Sequence, residues 1–296
     1  MNHKFIADFR NYDLTLTTSM NSNHGVSGHL YELIEYFYYF SFWHNIKTNI
    51  LIPFELTKEQ FKDALKKYNF DHNEILEYLN NTFFIKTPQI FFGNIVIFTD
   101  GNMYHPKYYN GIIKCNKKIF LRCNNNETLD KADIILQDFR LYDNTKNAIH
   151  YVKKLLFDKM IRIKASYANT ALLYATSNCR MVSYDEMKIL KSKYNFGKYI
   201  VLSDKEFKVP DKFELLKVPA DNIFSKFDTY IYTPLHGTCS QFDCSPRFIA
   251  ECEYYSKKVI YEIPVLYQGL AVRKYDIENN FESLFLRKDD KIINYI

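Results

Sequence analysis

The sequence predicts an α/β protein built from two open α/β domains in succession, and three observations carry that prediction. The chain has 296 residues, about twice an ordinary domain length, so two separate cores are expected. Short β-branched or aromatic runs alternate with polar turns and helix-compatible stretches, and their near-continuous apolar character is that of strands buried on both faces of a parallel sheet. The alternation lapses after about residue 150 and then restarts. The expected boundaries are 1–155 for an N-terminal α/β domain, 156–274 for a C-terminal α/β domain, and 275–296 for a charged, amphipathic closing helix or tail.

In the first half a helix is expected over Leu30–Trp43, after a Gly-rich turn. Its aromatic stretch contains Glu35 and Ser41 and is too short to span a bilayer, so it reads as a buried helix. Strands are expected at Ile50–Pro53, Ile95–Thr99, Lys118–Cys123 and Asp133–Gln137, with helices at Lys58–Lys67, Glu74–Leu79 and Ala148–Phe157. In the second half strands are expected at Ala171–Ala175, Tyr199–Leu202, Phe213–Val218, Thr229–Tyr232 and Lys258–Tyr261. Helices fall at Tyr184–Lys193 and Ser245–Tyr255, the second opened by Ser245 as N-cap and Pro246 at the first helical position.

Composition narrows the class. With 25 Tyr and 25 Phe against 1 Trp, both cores must be largely aromatic, and buried tyrosine hydroxyls must find partners. The six cysteines form no closely spaced pair of the zinc or redox type, which predicts free thiols in a reducing compartment. No secretory leader or membrane span is recognisable, so a cytoplasmic location is expected. A formal charge of +5 permits a polyanionic partner such as DNA without demanding one.

Four stretches carry candidate chemistry. His24-Gly25-Val26-Ser27-Gly28-His29 precedes the first long helix, where Gly25 and Gly28 let backbone approach a ligand and the helix N-terminus offers N–H groups to a phosphate or sugar. An ordinary turn with Ser27 as N-cap is the plain alternative. Asp100 ends the run Ile95 to Thr99, at the strand edge where α/β sheets place ligands, and suits a general base; an Asp-Gly turn is the alternative. Ser177 and Arg180 follow Ala171–Ala175 and suit a diphosphate through hydroxyl and guanidinium donors, unless Arg180 is a solvated surface cation. Arg247 and Glu251 lie four apart on one helix face, so the carboxylate either accepts from the two hydroxyls of a ribose or pairs with the arginine.

The stretch from Ser245 through Arg247, Glu251 and Ser256 to Val259 resembles the donor-domain signature of GT-B-fold glycosyltransferases. In that signature a helix carries Glu, a Gly follows five positions on, and a Val follows eight positions on at the head of the next strand. Ser256 stands in place of the Gly. Gly25 to Gly28 resembles the acceptor-domain loop of the same fold, and Arg180 its diphosphate-binding arginine. The Phe98-Thr99-Asp100 strand end is similar to that bearing the catalytic aspartate in phage DNA β-glucosyltransferases.

The resemblance implies two Rossmann-like domains facing each other across a cleft. It further implies a hexosyltransferase that moves a sugar from a nucleoside diphosphate donor, UDP-linked by analogy, with no metal and no other cofactor. Glu251 would hold the ribose, with Gly25, Gly28, Ser177, Arg180, Ser245 and Arg247 about the donor, and Asp100 or a loop histidine, His29 or His24, would deprotonate the acceptor. The acceptor is either a hydroxymethylated DNA base or a carbohydrate or small metabolite. The rival class is a non-catalytic nucleotide-binding or structural protein with a degenerate transferase fold.

Overall fold

In the computed structural model the described residues are 6–18, 28–52, 57–66, 75–76, 79–84, 89–99, 115–122, 131–143, 145–163, 167–175, 182–203, 205–218, 220–233, 247–262, 266 and 268–296. The chain divides into two compact units, the first formed by residues 1–65, 71–159 and 280–296 and the second by 66–70 and 160–279.

Unit 1 is built on a seven-stranded parallel sheet. Its strands are β2 (Leu14–Thr17), β3 (Thr48–Ile52), β4 (Thr82–Phe84), β6 (Ile95–Phe98), β7 (Lys117–Leu121), β8 (Ile134–Gln137) and β9 (Ala148–His150), arranged β4-β3-β2-β6-β7-β8-β9. Two further strands, β1 (Ile6–Asp8) and β5 (Gln89–Phe91), pair with each other in parallel. Parallel pairing buries both sheet faces, and the central strands comply: Leu14, Leu16, Ile50, Leu51, Ile52, Val96 and Ile97 are all fully buried. Gly93 is required just before β6, because a Cβ there would lie 1.8 Å from the Tyr12 carbonyl oxygen.

The helix expected over Leu30–Trp43 is α-helical from Gly28 to Phe37 (α1) and continues as a wider π-helical stretch over Tyr38–Trp43. That stretch holds aromatic rings in contact along one segment, with Tyr38 stacked on Phe42 at 4.7 Å and Tyr39 edge-on to Trp43 at 5.8 Å. A second helix, α2, covers Lys58–Lys66.

Residues Ala148–Phe157 are not the expected helix. Asn147 turns the chain through a left-handed conformation, Ala148–His150 pairs with β8, and the Tyr151 amide donates to the Gln137 carbonyl. Beyond it Leu155 is clamped from both sides, its amide donating to Leu284 and its carbonyl accepting from Leu286, each at 2.8 Å. Long-range pairing at a sheet edge overrides local helix preference here. The partners come from the C-terminal segment, which packs as two short 3-10 turns, Phe281–Leu284 and Lys291–Tyr295. Residue 275, the expected start of the tail, lies inside a regular helix.

Unit 2 is built on a five-stranded parallel sheet, β12-β11-β10-β13-β14, from β10 (Thr170–Ala175), β11 (Lys198–Ser203), β12 (Phe213–Lys217), β13 (Thr229–Tyr232) and β14 (Lys258–Tyr261). Its helices are α3 (Tyr184–Lys193), α4 (Arg247–Tyr254) and α5 (Gln268–Asn280). Ser183 and Glu186 form a reciprocal capping box that starts α3. Side chains alternate along the strands, so Ala171, Leu173 and Ile231 face α3 through Met187 and Leu190, while Leu172, Tyr230 and Tyr232 face α4 through Ile249 and Cys252. Among the described residues no helix is long and apolar enough to cross a membrane.

Candidate functional site

Both sheets reverse their strand order at one point. In unit 1 the chain winds outward from β2 through β3 to β4, then returns to the other side of β2 with β6; in unit 2 β10, β11, β12 and β13 repeat the pattern. At such a reversal the crossover helices leave toward opposite faces and open a crevice at the carboxyl ends of the two middle strands, where doubly wound folds bind ligands. In unit 2, α3 and α4 pack on opposite faces of the sheet.

The four sequence candidates follow these four strand ends. β2 leads into the Gly-rich segment and α1, β6 into Asp100, β10 into Ser177 and Arg180, and β13 into Ser245 and α4. Asp100, His24, Gly25, Ser177, Arg180 and Ser245 lie outside the described residues. Gly28 and His29 are the first two residues of α1, and Arg247 and Glu251 occupy the first turns of α4.

In unit 2 the arginine and the glutamate meet: Arg247 Nε donates to Glu251 Oε1 at 2.6 Å, with the side chains only 15% and 5% exposed. The pair expected as one alternative is therefore formed, and it is a shielded pair rather than a solvated one. Phe248 fixes the helix start over the switch strands, stacked on Tyr174 of β10 at 5.6 Å and edge-on to Tyr230 of β13 at 5.0 Å. Burial raises the Cys252 thiol well above its ordinary range, and neighbouring Glu251 adds to that rise, so it behaves as a core residue.

The helix ends at Tyr254 and the chain turns at Ser256, whose φ of 54° is left-handed. The amide of Lys257 reaches back to the Cys252 carbonyl at 2.8 Å, and β14 begins at once. This backbone is the one that favours Gly, which is the residue the resembled signature carries here. Ser256→Gly is expected to raise unfolding stability by up to about 1 kcal/mol, since a side chain in this conformation costs about 1–2 kcal/mol and the added chain entropy offsets part of it. Thermal unfolding measures it, and an unchanged or lower midpoint would contradict the strain.

In unit 1, His29 Nδ1 faces Glu32 Oε2 at 3.4 Å, one helical turn on, and Lys153 Nζ bonds both Glu32 oxygens at 3.1 and 3.2 Å. Burial alone would raise the Glu32 carboxyl; Lys153 and His29 outweigh it and hold the group at about 2. The next turn docks to the same stretch of chain, Glu35 accepting from the Leu156 amide at 3.1 Å and Tyr36 bonding Tyr151 through their hydroxyls at 3.0 Å. Glu32 lies at the i+3 position from His29, a spacing legible in the sequence, whereas Lys153 is 121 residues away from Glu32.

Because the folded-state value of Glu32 lies below the ordinary 4.5, its ionised form favours the folded state. That contribution, on the order of 3 kcal/mol, is complete above about pH 4.5 and is lost as pH falls toward 2. Lys153→Met is expected to remove much of it. Denaturant unfolding of both proteins between pH 2 and 6 reads the difference, and identical pH profiles would contradict the assignment.

Among the described residues no group of three His, Cys, Asp or Glu side chains gathers to hold a metal ion. No protein-family model and no curated protein matches this chain.

Proposed function

We propose that this chain is a metal-independent glycosyltransferase that moves a sugar from a nucleoside diphosphate donor, UDP-linked, to a hydroxyl acceptor. The observation that carries the reading is the tandem of doubly wound parallel sheets, with the donor-type and acceptor-type motifs each following a switch strand in the order the GT-B resemblance requires. Unit 2 takes the donor: Glu251 accepts from the ribose hydroxyls, while Arg247 and Arg180, with Ser177 and Ser245, answer the diphosphate. The Arg247–Glu251 bond supports this by holding the carboxylate in place before the ribose arrives.

Unit 1 takes the acceptor. A carboxylate facing Nδ1 of His29 favours the proton on that nitrogen and the basic lone pair on Nε2. His29 then removes the acceptor's hydroxyl proton as its oxygen bonds to the anomeric carbon; the bond from that carbon to the diphosphate breaks, and the leaving charge passes to the arginines. Gly25 and Gly28 let backbone approach the sugar, and Asp100 is the second candidate for the base.

Charge bears on both substrates. Of the 39 basic and 34 acidic side chains, 20 and 20 fall in unit 1 and 19 and 14 in unit 2, so the whole excess of +5 lies in unit 2. A cationic unit suits a diphosphate, and a balanced unit suits an uncharged acceptor such as a carbohydrate better than it suits DNA.

Isothermal titration with UDP and with UDP-sugars tests the donor half, and saturable binding is the expected result. Salt titration of duplex binding, with and without hydroxymethylated bases, tests the acceptor half. A slope of log affinity against log salt steeper than about −2 would replace the carbohydrate acceptor with DNA.

A further inference from the structure

Most of the buried threonine hydroxyls in the two sheets are answered within the fold. Thr15 donates to the Asn49 side chain at 2.7 Å, Thr17 to the Leu51 carbonyl at 2.9 Å, and Thr170 to the Ala168 carbonyl at 3.2 Å. Two are different. Thr99 is fully buried and Thr233 is 4% exposed, and neither hydroxyl has a hydrogen-bond partner among the described residues. A buried hydroxyl with no partner costs free energy, so its retention needs a reason.

Their places in the fold correspond. Thr99 is the residue just past β6 and Thr233 the residue just past β13, in each case the strand that returns beside the first strand of its sheet. The Thr99 amide donates to the Thr17 carbonyl of β2 at 3.1 Å, so it sits across the first switch point from the end of β2. Carrying forward the register Ala171↔Thr229 and Leu172↔Tyr230 sets Thr233 beside Ala175, the last residue of β10. The other unanswered threonine hydroxyls, Thr82 and Thr145, fall elsewhere, at the first residue of edge strand β4 and in the turn before β9.

We propose that the Thr99 and Thr233 hydroxyls are ligand-contacting groups, one at each switch point, with Thr233 donating to a phosphate oxygen of a nucleoside diphosphate and Thr99 to an oxygen of the acceptor. The inference rests on the proposed function for the identity of those ligands. The hydroxyl of Thr233 is desolvated in the free chain, so a phosphate oxygen that accepts from it displaces no bulk water from the donor and gains a charge-assisted bond. Threonine, unlike valine of nearly the same shape, offers that donor.

The test is Thr233→Val, read by thermal unfolding of the ligand-free chain and by titration with UDP and with inorganic pyrophosphate. Thr233→Ser, which keeps the hydroxyl, is the rescue variant. The expected result for valine is an unfolding midpoint equal to or above that of the parent, with UDP and pyrophosphate affinity reduced about tenfold, equivalent to about 1.4 kcal/mol. Serine restores most of the affinity.

A fall in the valine midpoint would mean that the hydroxyl is bonded inside the fold and would overturn the inference, as would affinity within twofold of the parent. If the parent chain itself binds neither UDP nor pyrophosphate, the glycosyltransferase reading falls and takes this inference with it. Thr99→Val is read in the same way, with KM for the acceptor in place of UDP affinity. A rise of about tenfold in KM is expected, and an unchanged KM overturns the acceptor half.

Discussion

His29→Gln is expected to lower turnover by about 10²- to 10⁴-fold while UDP affinity stays within twofold, because glutamine keeps polar contacts but cannot take a proton near neutral pH. The expectation rests on His29 at the start of α1, its Nδ1 facing Glu32 at 3.4 Å with Lys153 bonded behind that carboxylate. Glu32→Gln removes the orienting charge and leaves the base in place, so its effect is smaller and appears as a displaced acidic limb in the pH profile of kcat/KM, the limb on which a general base gains its proton. Glu32 is a positioning residue in this scheme, and a uniform loss of folded protein would not move that limb. Near wild-type turnover in His29→Gln would pass the role of base to Asp100.

Glu251→Gln is expected to weaken UDP binding by about 1.5–3 kcal/mol, roughly 10- to 150-fold, through loss of the charge-assisted bonds to the ribose. The substitution keeps the side-chain length but leaves Arg247, only 15% exposed, facing a neutral amide. A cation shielded in this way loses stability when its partner charge is removed, so thermal unfolding must accompany the titration. Folded variant with unchanged UDP affinity would remove Glu251 from the donor site and leave its bond to Arg247 as a structural pair.

The second half of the fold is the more legible in sequence, and the reason lies in how its strands are built. Thr229–Tyr232, Lys258–Tyr261 and Tyr184–Lys193 have the bounds expected of them, because each is a compact apolar run or a helix between clear turn signals. In the first half the central strand Leu14–Thr17 alternates leucine with threonine, a pattern that does not announce a strand buried on both faces. Its threonines are buried because Asn49 and the Leu51 carbonyl answer them from the neighbouring strand. Ala148–Phe157 misleads for a related reason: Ala148–His150 pairs with β8, and the partners of Leu155, Leu284 and Leu286, come from the far end of the chain.

The candidate site divides along the same line. His29, Arg247 and Glu251 are visible as helix-start residues beside Gly or Ser-Pro signals, and the bond from Arg247 to Glu251 follows from i,i+4 spacing. Lys153, which holds Glu32, and the unanswered hydroxyls of Thr99 and Thr233 become visible only when strand order brings distant segments together. Ser256 falls between the two cases: the sequence shows a serine where the resembled signature has glycine, and the backbone there is left-handed all the same.

The most direct test of the central claim is release of nucleoside diphosphate from a panel of nucleotide sugars, measured with the full chain in the presence of a metal chelator. The expected result is UDP release from at least one UDP-sugar, unaffected by the chelator and accelerated by a hydroxyl acceptor, with the acceptor-stimulated rate lowered about 10²- to 10⁴-fold in His29→Gln. Saturable UDP binding without release from any nucleotide sugar would make the chain a nucleotide-binding protein. The absence of both binding and release would contradict the assignment of unit 2 as a donor site.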